Sequence, residues 1–487
     1  MDDEQWQAMY DAGPKIVIQK FRELTAENQA LRERLKQLEE QQAKNSRNSS
    51  KPPSSDGLKK PNRPSSDKRQ RERKRGKGSK RDPGAQKGHK GSTLKPVKNP
   101  KHTEIHSVHT CQECGHSLQG HAAIDYESRQ VFDIPPLLIE VTEHRAEIKE
   151  CPYCDAINKA EFPEDVNAPT QYGPRVKSIA TYMKVYQLLP YKRSAEFFHD
   201  IFSLPLSEGT LVNIIQDCSK RIQPITERIR QALMKEPVGG FDESGCRVEG
   251  KRIWIHVVST PELTYYELHD KRGREAMDEM GILPDFKGRA IHDFFQSYYQ
   301  YKCNHGLCNA HLLRDLIFLY EVQDQTWADL MIDCLLDMKD TVEMAKEKNA
   351  SNCGTQGEKL KTRYDEIVQQ GLDANPWPDE KAPRKRGRTK QTKAQNVLVR
   401  LRDHKNEILA FVDDFNIPFD NNLSERDLRM IKTQQKISGT FRSSAGGNNF
   451  CCIRGYISTI RKQAINVIHS IRSIFTGNPI VPLSTDP

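Results

Sequence analysis

The sequence contains few apolar residues for its length. Hydrophobic residues make up 36% of the 487 positions, and no run approaches the roughly 18 apolar residues that a membrane-spanning helix requires. The opening residues, MDDEQWQAMYDAG, are acidic and have no apolar centre, so we expect no secretory signal. The loop GTFRSSAGGNN is not followed by the GK[ST] of a phosphate-binding loop, which argues against a nucleotide-binding protein.

The cysteines do not form a pattern typical of a disulfide framework. Of twelve cysteines, four fall in two CxxC pairs and the other eight show no regular spacing. Without a secretory signal, this favours a soluble protein of a reducing compartment, with no membrane partner. The chain also exceeds the roughly 250–300 residues that one hydrophobic core supports, so we expect several domains.

Positive charge is concentrated in one segment. The chain carries a net charge of +9, but Lys59–Lys101 holds 17 Lys and Arg against 3 Asp and Glu, a local charge of +14 that leaves −5 for the remainder. Residues 45–101 lack the apolar residues to build a core, so we expect a linker that is disordered when free. Its cations predict contact with DNA phosphates. The residues expected to make that contact are Arg71, Arg73, Lys74, Arg75, Lys77, Lys80 and Arg81.

A heptad pattern precedes this linker. Val17, Leu24, Leu31 and Leu38 occupy d positions, and Asn28 lies among the a positions. A single Asn at a, with Leu at d, is typical of a parallel two-stranded coiled coil. We therefore expect this helix to join two copies of the chain in a homodimer. The alternative is an amphipathic helix docked on its own protein.

Two CxxC pairs follow the linker. Cys111 and Cys114 form the first pair, and Cys151 and Cys154 form the second. Each CxxC turn offers two thiolates, and two such turns complete a tetrahedral zinc site. A redox-active dithiol is the alternative, but the presence of two pairs favours one structural Zn²⁺ in a small ribbon.

Residues 177–218 are predicted to form three short helices. The second is Tyr191–Phe202, and Ser207 is a plausible N-cap for the third, Glu208–Cys218. This is the outline of a helix-turn-helix, with Thr210 and Asn213 on the outward face of the helix that would enter the major groove of DNA. An ordinary helical hairpin fits the pattern equally well.

Short apolar strands predict a mixed sheet beyond residue 236. The strands are expected at Val238–Ser244, Arg252–Thr260, Leu263–His269 and Gly288–Phe294, and near Gly306–Cys308, with a helix near Arg274–Met280. A polar helical segment at about 321–411 interrupts this pattern. It includes an exposed basic loop that is a further candidate for DNA contact, with Arg384, Lys385, Arg386 and Arg388.

Carboxylates at the strand ends predict a metal site. Asp242 lies on the first strand, Asp293 ends the fourth, and Glu425 lies early in a predicted helix. Such carboxylates can converge on a pair of divalent ions and catalyse phosphoryl transfer, although each alone would more often be a solvated acid. For the third position, spacing alone leaves other acids open: Glu407, Asp413, Asp414, Asp420 and Asp427.

With these residues in place, the chain resembles the insertion-sequence sixty-six family of bacterial DDE transposases over nearly its whole length. The resemblance rests on the heptads, the paired CxxC, and the motifs NSSKPPSSD, GAQKGHKGST, FDESG, HDFFQSYY, CNAHLLRDL and FDNNLSERDLR. It implies a ribonuclease-H-like catalytic domain whose triad is Asp242, Asp293 and Glu425. Their spacings are 51 and 132 residues. The glutamate of the family's ER dipeptide corresponds to Glu425.

The resemblance also implies the chemistry and the partners. Two Mg²⁺ (or Mn²⁺) ions per active site would serve an in-line displacement at phosphorus. Water first releases a 3′-hydroxyl at the element end, and that hydroxyl then attacks target DNA. The expected partner is double-stranded DNA, as inverted-repeat ends and as target, in the bacterial cytoplasm at the nucleoid. Accessory proteins of the same element are left open.

The predicted architecture is multidomain α+β with six parts. These are a coiled-coil helix (1–44), a basic linker (45–101), a zinc ribbon (102–165), a helix-turn-helix-like region (170–235), a ribonuclease-H-like domain (236–475) and a tail (476–487). Two alternatives remain: a non-catalytic DNA-binding protein, and a nuclease that cuts without joining. The three carboxylates argue against the first, and the sequence does not separate cutting from joining.

Overall fold

The computed structural model describes residues 13–49, 94–134, 139–377 and 391–482, together with Gln7, Tyr10, Asp11, Lys51 and Asp56. The chain divides into two compact units. The larger contains Met1–Asn62, Phe162–Phe198 and Pro205–Pro487, and the smaller contains Arg63–Glu161 and His199–Leu204. The basic residues predicted to contact DNA between positions 71 and 81, and those between positions 384 and 388, lie outside the described residues.

The N-terminal helix α1 spans Pro14–Gln42 and leaves most of its heptad stripe exposed, although Val17 and Leu24 are half-buried. None of its residues is buried. Three large apolar side chains of the stripe are more than half exposed: Phe21, Leu31 and Leu35. Its C-terminal end is held by Gln323 Nε2, which donates to Glu40 Oε1 at 2.9 Å. The choice between a coiled coil and a helix docked on its own protein therefore remains a prediction.

The smaller unit contains a short hairpin with few buried atoms. Strands β1 (Ile148–Glu150) and β2 (Ile157–Lys159) pair antiparallel, and the second CxxC pair lies between them. No residue among the described positions 94–134 and 139–161 is buried. Apolar side chains such as Ile124 and Val131 lie exposed. These segments therefore build no apolar core of their own.

Three helices precede the central sheet. α2 (Pro174–Thr181) continues into a wider turn at Tyr182–Tyr186, and α3 spans Tyr191–Phe202 as predicted. Ser207 caps α4, because its Oγ accepts the N–H of Thr210 at 3.0 Å. The predicted end of this helix near Cys218 is wrong, since α4 spans Glu208–Lys235. Its apolar stripe continues through buried side chains at Ile222, Ile225, Ile229 and Leu233.

A five-stranded mixed sheet forms the centre of the larger unit. Its strands are β3 (Val238–Val248), β4 (Lys251–Ser259), β5 (Thr264–His269), β6 (Arg289–His292) and β7 (Asn304–Leu307). The spatial order is β5-β4-β3-β6-β7; the first three pair antiparallel, and β6 and β7 run parallel to β3. All five predicted strands are present, as is the predicted helix α5 (Arg274–Met280).

The β3–β4 hairpin closes with a two-residue turn. Glu249 and Gly250 have φ values of 51° and 77°, the left-handed conformation that matches the twist of a hairpin. This is the turn that the sequence predicts. β6 pairs with β3 only from Val238 to Gly240, so the far end of the hairpin extends beyond the parallel part of the sheet.

A helical insertion follows β7. Its helices are α6 (Asn309–Gln323), α7 (Thr326–Glu347), α8 (Gly354–Ala374), α9 (Lys393–Asp403), α10 (Lys405–Ile408) and α11 (Ala410–Asp413). Their apolar side chains share one buried cluster with β6 and β7. The two ends of the insertion meet: Asn309 N–H donates to Phe419 O at 3.1 Å, and Asn421 N–H donates to Cys308 Sγ at 3.2 Å.

Three helices complete the described chain. They are α12 (Asn422–Ser438), α13 (Ser444–Lys462) and α14 (Val467–Phe475). α12 packs on β3 and β4, whereas α13 packs on β5 and α4. Across the described residues, no helix has the length and apolar content to cross a membrane.

Candidate active site

Asp242 lies on β3, the central strand of the sheet, and is half-buried. Its Oδ1 accepts the backbone N–H of Glu243 at 2.8 Å. Burial raises the pKa of the Asp242 carboxyl well above its usual value, and the negative charges of Glu243, Asp293 and Glu425 raise it further. The ionised carboxylate would therefore be stabilised by a positive charge nearby.

The parallel register of β3 and β6 makes Asp293 a neighbour of Asp242. Gly240 pairs with Ile291, so each aspartate lies two residues beyond a paired position. Asp293 follows the last residue of β6, and its Oδ1 accepts the N–H of Phe295 at 2.8 Å. Asp242 thus lies on β3, and Asp293 lies just beyond the end of the adjacent, shorter strand β6.

His292 fixes the end of β6 just before Asp293. Its ring is fully buried, with Nε2 3.0 Å from His305 Nδ1, and it stacks on Tyr298 with the ring centroids 4.5 Å apart. Burial lowers the pKa of His292 to about 3, so the ring is neutral at neutral pH. The histidine of this motif is therefore a packing residue and adds no charge beside the aspartates.

Glu425 lies in the first turn of α12, and Asn421 fastens that turn to the sheet. Asn421 Nδ2 donates to Phe241 O at 2.8 Å, and its backbone N–H donates to Cys308 Sγ. This close approach requires glycine on the strand, because a Cβ at Gly240 would lie 2.3 Å from Asn421 Oδ1. The start of α12 is therefore seated directly on β3. The sequence pattern did not predict this role of Asn421, although the residue lies in the FDNNLSERDLR motif.

Three basic side chains surround the Glu425 carboxylate, which is 13% exposed. His311 Nδ1, Arg314 Nη2 and Arg429 Nη2 lie 3.7, 3.6 and 3.5 Å from its oxygens. Glu425 Oε1 and His311 Nδ1 are buried and have no hydrogen-bond partner within the described structure. His311 and Arg314 both belong to the CNAHLLRDL motif, so the sequence contained the residues of this contact although it did not show that they meet Glu425.

Cys308, His311 and Glu425 place their ligand atoms within 4.8 Å of one another. Burial raises the pKa of the Cys308 thiol to about 12, which argues against a metal ion held by these three alone. The contacts of His311, Arg314 and Arg429 restrict the positions that the Glu425 carboxylate can take.

The donor set of Asp242, Asp293 and Glu425 fits a hard divalent cation. As a set, their oxygens are not within 4.8 Å of one another. In the described part of the chain, no Lys, Arg or His forms an ion pair with Asp242 or Asp293, whose charges are thus uncompensated. Carboxylate oxygens are the ligands that Mg²⁺ and Mn²⁺ prefer, and the unpartnered Glu425 Oε1 offers one more.

Glu243 lies on the opposite face of β3 from Asp242 and joins the strand to the loop after Asp293. Its side chain is 1% exposed, and Oε1 lies 2.7 Å from Arg272 Nη2. Its Oε2 accepts the hydroxyl of Tyr298 at 2.5 Å. Arg272 in turn lies over the ring of Phe295, 4.2 Å from its centroid. The contacts of Glu243 with Arg272 and Tyr298, which we call the Glu243 latch, connect the two segments that carry the aspartates.

We expect Glu243→Gln to lower the free energy of unfolding by about 1–3 kcal/mol, because it leaves the Arg272 guanidinium without its charged partner in a half-buried position. Urea unfolding measures the loss. Glu358→Gln is a matched control, since Glu358 pairs with Lys361 at 3.2 Å but is 75% exposed; its expected cost is below about 1 kcal/mol. Equal losses in the two variants would contradict this role for the latch.

The other acids considered for the third position have different partners. Asp427 Oδ2 accepts hydrogen bonds from Ser259, Thr264 and Lys462 at 2.5, 3.0 and 3.0 Å, so it ties α12 to β4, β5 and α13. Three of the remaining acids also bond elsewhere: Asp420 to the N–H of Asn422, Asp413 to Lys361, and Asp414 to the N–H of Asn416. Glu407 Oε1 lies 3.9 Å from His404 Nδ1.

The two CxxC turns have the same backbone geometry. Cys111 O accepts the N–H of Gly115 at 3.0 Å, and Cys151 O accepts that of Asp155 at 2.9 Å. Backbone N–H groups within each turn lower the pKa of the Cys111 and Cys151 thiols, which favours the thiolates that zinc binds. The four sulfurs are not brought within 4.8 Å of one another, so a site formed by all four remains a prediction.

Thr210 and Asn213 lie near the start of α4. Asn213 is exposed and Thr210 is half-buried. The Thr210 hydroxyl lies 2.9 Å from Ser207 Oγ, so it also takes part in the N-cap. Their position on the first turns of a capped helix is consistent with contact to DNA, which remains a prediction.

Three family models match the chain. The model described as Transposase IS66 family matches residues 169–449, the zinc-finger binding domain of transposase IS66 matches residues 109–155, and a family of unknown function matches residues 6–95. A comparison with curated proteins gives no match. The zinc-finger match contains all four cysteines and supports a structural zinc. Because the first match covers more than half of the sequence, the chain belongs to the IS66 family of transposases.

Proposed function

We propose that this transposase binds the inverted-repeat ends of its insertion sequence and catalyses metal-dependent DNA strand cleavage and strand transfer. In this proposal Asp242, Asp293 and Glu425 hold two Mg²⁺ or Mn²⁺ ions. The observation that carries it is the register of the sheet: Asp242 on β3 and Asp293, directly after β6, each lie two residues beyond the paired Gly240 and Ile291. The glutamate on α12 is close enough for its charge to raise the pKa of Asp242.

The strand order supports a ribonuclease-H-like catalytic domain. Three antiparallel strands are followed by two that run parallel to the first, with that first strand in the centre. The acidic residues lie on the central strand, at the end of its parallel neighbour and on a helix packed against both β3 and β4. In this domain the insertion at about 321–411 separates the second acid from the third.

Each residue of the site has a separate role in the proposed reaction. Divalent ions held there would activate an attacking oxygen and stabilise the leaving one. Asp242 and Asp293 provide oxygen ligands on the rigid sheet, and Glu425 provides a third from α12. His311 and Arg314 hold the glutamate in position from α6. In the first step water attacks phosphorus at the element end, and the bond from phosphorus to the 3′ oxygen breaks, which leaves a 3′-hydroxyl on the element and a 5′-phosphate on the flanking strand. In the second step that 3′-hydroxyl attacks a phosphorus of the target strand, whose own 3′ oxygen is the leaving group.

A joining assay tests this function. The DNA that flanks the gene supplies the inverted-repeat sequence for a duplex probe, which is incubated with the purified chain, Mg²⁺ and a circular target. We expect cleavage with a free 3′-hydroxyl, followed by joined product, and no reaction with EDTA. Cleavage without joining would instead support a nuclease, and binding without cleavage a non-catalytic DNA-binding protein.

The remaining segments supply the DNA contacts in this proposal. The ribbon at 102–165 and the helix-turn-helix-like region at 170–235 bind the element ends, and Cys111, Cys114, Cys151 and Cys154 hold the zinc. The basic linker at 45–101 and the loop with Arg384–Arg388 contact phosphates. The protein then acts on DNA in the bacterial cytoplasm, and accessory proteins of the element remain further candidate partners.

The exposed heptad stripe supports a coiled-coil homodimer. None of the residues of α1 is buried within the protomer, so an apolar stripe that includes Leu31 and Leu35 would gain stability by pairing with a second copy. A dimer would also hold two element ends together, as strand transfer requires.

Breaking the stripe should therefore separate the protomers. We expect Leu24→Glu with Leu31→Glu to lower the mass measured by sedimentation equilibrium from that of a dimer to that of a monomer, because charges at d positions oppose pairing. Ala26→Glu with Ala30→Glu adds the same charge to the outward face and should leave the dimer intact. A dimer that survives the leucine substitutions would place the contact elsewhere.

A further inference from the structure

Arg429 lies one helical turn after Glu425 and faces the candidate active site. Residues four positions apart project from the same side of a helix, and Arg429 Nη2 is 3.5 Å from Glu425 Oε2. The arginine side chain is 64% exposed, whereas the glutamate side chain is 13% exposed. The guanidinium group therefore lies between the carboxylate and solvent, where a bound molecule would meet it.

The path of α12 along β3 places this arginine close to Asp242. The helix begins against Phe241, whose carbonyl oxygen accepts a hydrogen bond from the N-cap residue. Further along the same strand, Lys432 Nζ donates to Gly245 O. Between these contacts the helix covers about 16 Å and the strand about 13 Å, so the two run side by side in one direction. The glutamate is then level with Asp242, and Arg429 is about 6 Å further along the helix.

The two arginines that contact the glutamate differ in their access to solvent. Arg314 Nη2 is 3.6 Å from Glu425 Oε2, but the Arg314 side chain is only 26% exposed. It projects from α6, which is anchored on either side of it by the fully buried Leu312 and Leu316. Arg314 can therefore stay with the glutamate, whereas the more exposed Arg429 is free to turn towards a bound molecule.

The contact between Arg429 and Glu425 is loose enough to be exchanged for another. Charge-assisted N–H···O bonds are about 2.7–2.9 Å long, and the arginine nitrogen is 3.5 Å from the carboxylate oxygen. Among the residues that the structure describes, Arg429 forms an ion pair with this glutamate alone. Its remaining N–H groups are available to the paired oxygens of a phosphate, which match the guanidinium fork.

The proposed reaction brings one anion to this place, the scissile phosphate. The charge of the Glu425 carboxylate would be shared with a divalent ion, while the arginine keeps its own positive charge. The two non-bridging oxygens of a phosphodiester supply the negative charge that the arginine then lacks. Repulsion by three carboxylates opposes the entry of a phosphate, so a cation at the entrance favours its binding.

We propose that Arg429 contacts a non-bridging oxygen of the scissile phosphate, while Arg314 stays with Glu425. The inference rests on the proposed function, because it takes the three carboxylates as the site of cleavage. The contact holds the phosphate in position for in-line attack. It reads no base, since contacts to the DNA backbone carry no sequence information.

The test measures binding of the full chain to a duplex with one element end and its flanking DNA. The phosphate at the boundary is either normal or replaced by a methylphosphonate, which has an uncharged methyl group in place of one non-bridging oxygen. Fluorescence anisotropy in Ca²⁺, which prevents cleavage, gives the loss of affinity that this replacement causes. A hydrogen bond between charged groups is worth about 10-fold in affinity, so we expect that loss to be smaller by about this factor in Arg429→Gln than in wild type.

Arg426→Gln is the matched control. Arg426 is also exposed on α12, but it follows Glu425 directly and points about 100° away around the helix. Its Nε donates to Asn422 O at 3.4 Å. This variant should lose as much affinity on methylphosphonate replacement as wild type does. The melting temperatures of both variants should stay close to that of wild type, because both side chains are exposed.

The outcomes separate this inference from the proposed function, because the boundary phosphate is defined by the DNA sequence and not by cleavage. A wild-type loss of affinity in Arg429→Gln, or an equally reduced loss in Arg426→Gln, overturns the inference. So does a scan of neighbouring phosphates in which Arg429→Gln has its largest effect at another position. If the loss is reduced as expected but neither Asp242→Asn nor Glu425→Gln impairs cleavage, the proposed active site fails while the arginine contact stands.

Discussion

Glu425→Gln is expected to abolish cleavage and joining of element ends while leaving end binding intact. The substitution keeps the size of the side chain and removes the charge of the proposed metal ligand. The rate should fall by more than about 100-fold, the upper end of the effect of residues that only support metal ligands. Cleavage of an end-labelled duplex with Mg²⁺ and with Mn²⁺ measures the rate, and gel retardation measures binding. Asp242→Asn and Asp293→Asn should behave in the same way.

Asp427→Asn is the matched control for that prediction. It removes an acid from the same helix, two positions away, which points to a different side of α12. Asn retains an oxygen that can accept from Lys462, so we expect a lower melting temperature but cleavage close to wild type well below that temperature. If Glu425→Gln released 3′-hydroxyl ends near the wild-type rate, the third metal ligand would have to be another acid, and Asp420 would be tested first.

Cys154→Ser is expected to release the structural zinc and to abolish binding to element ends. The described residues from 94 to 161 bury no apolar side chain, so metal binding is the main source of folding free energy in that segment. In small zinc domains it supplies about 10–16 kcal/mol. Elemental analysis should show about one zinc per chain in wild type and none in the variant, as expected for one four-ligand site.

Cys303→Ser is the control for the zinc prediction, because Cys303 lies in the larger unit and is half-buried. It should keep its zinc and its binding to element ends. A Cys154→Ser protein that retained both would show that the second CxxC turn does not hold the ion. Loss of binding with full zinc content would point to a direct DNA contact by the turn instead.

Local patterns predicted the sheet well. Alternating apolar residues located all five strands, and the Glu249-Gly250 pair located the hairpin turn. The end of α4 was missed because helix length depends on the surface against which an apolar stripe packs, and that surface is distant in sequence. The sequence pattern predicted that the helix ends near Cys218, whereas packing extends it to Lys235.

The candidate site was only partly accessible from the sequence. The resemblance to a known family chose Glu425 among six acids, and the structure now gives the alternatives other partners, such as Lys462 for Asp427. The contacts of Asn421 with Phe241 and of Glu243 with Tyr298 join positions 180 and 55 residues apart. Periodicity reports neighbours within one element, so it contains no information on such pairs.

The two ends of the helical insertion lie side by side. The 132 residues between Asp293 and Glu425 therefore separate these two acids in sequence but not in the fold. Hydrogen bonds of Asn309 with Phe419 and of Cys308 with Asn421 hold the first and last residues of the insertion together. The chain beyond α6 can therefore change in length while α6, whose His311 and Arg314 contact Glu425, stays in place. The insertion leaves and re-enters the sheet at one place. Its distal helices could therefore acquire new contacts with DNA or protein while the carboxylates on the sheet keep their positions.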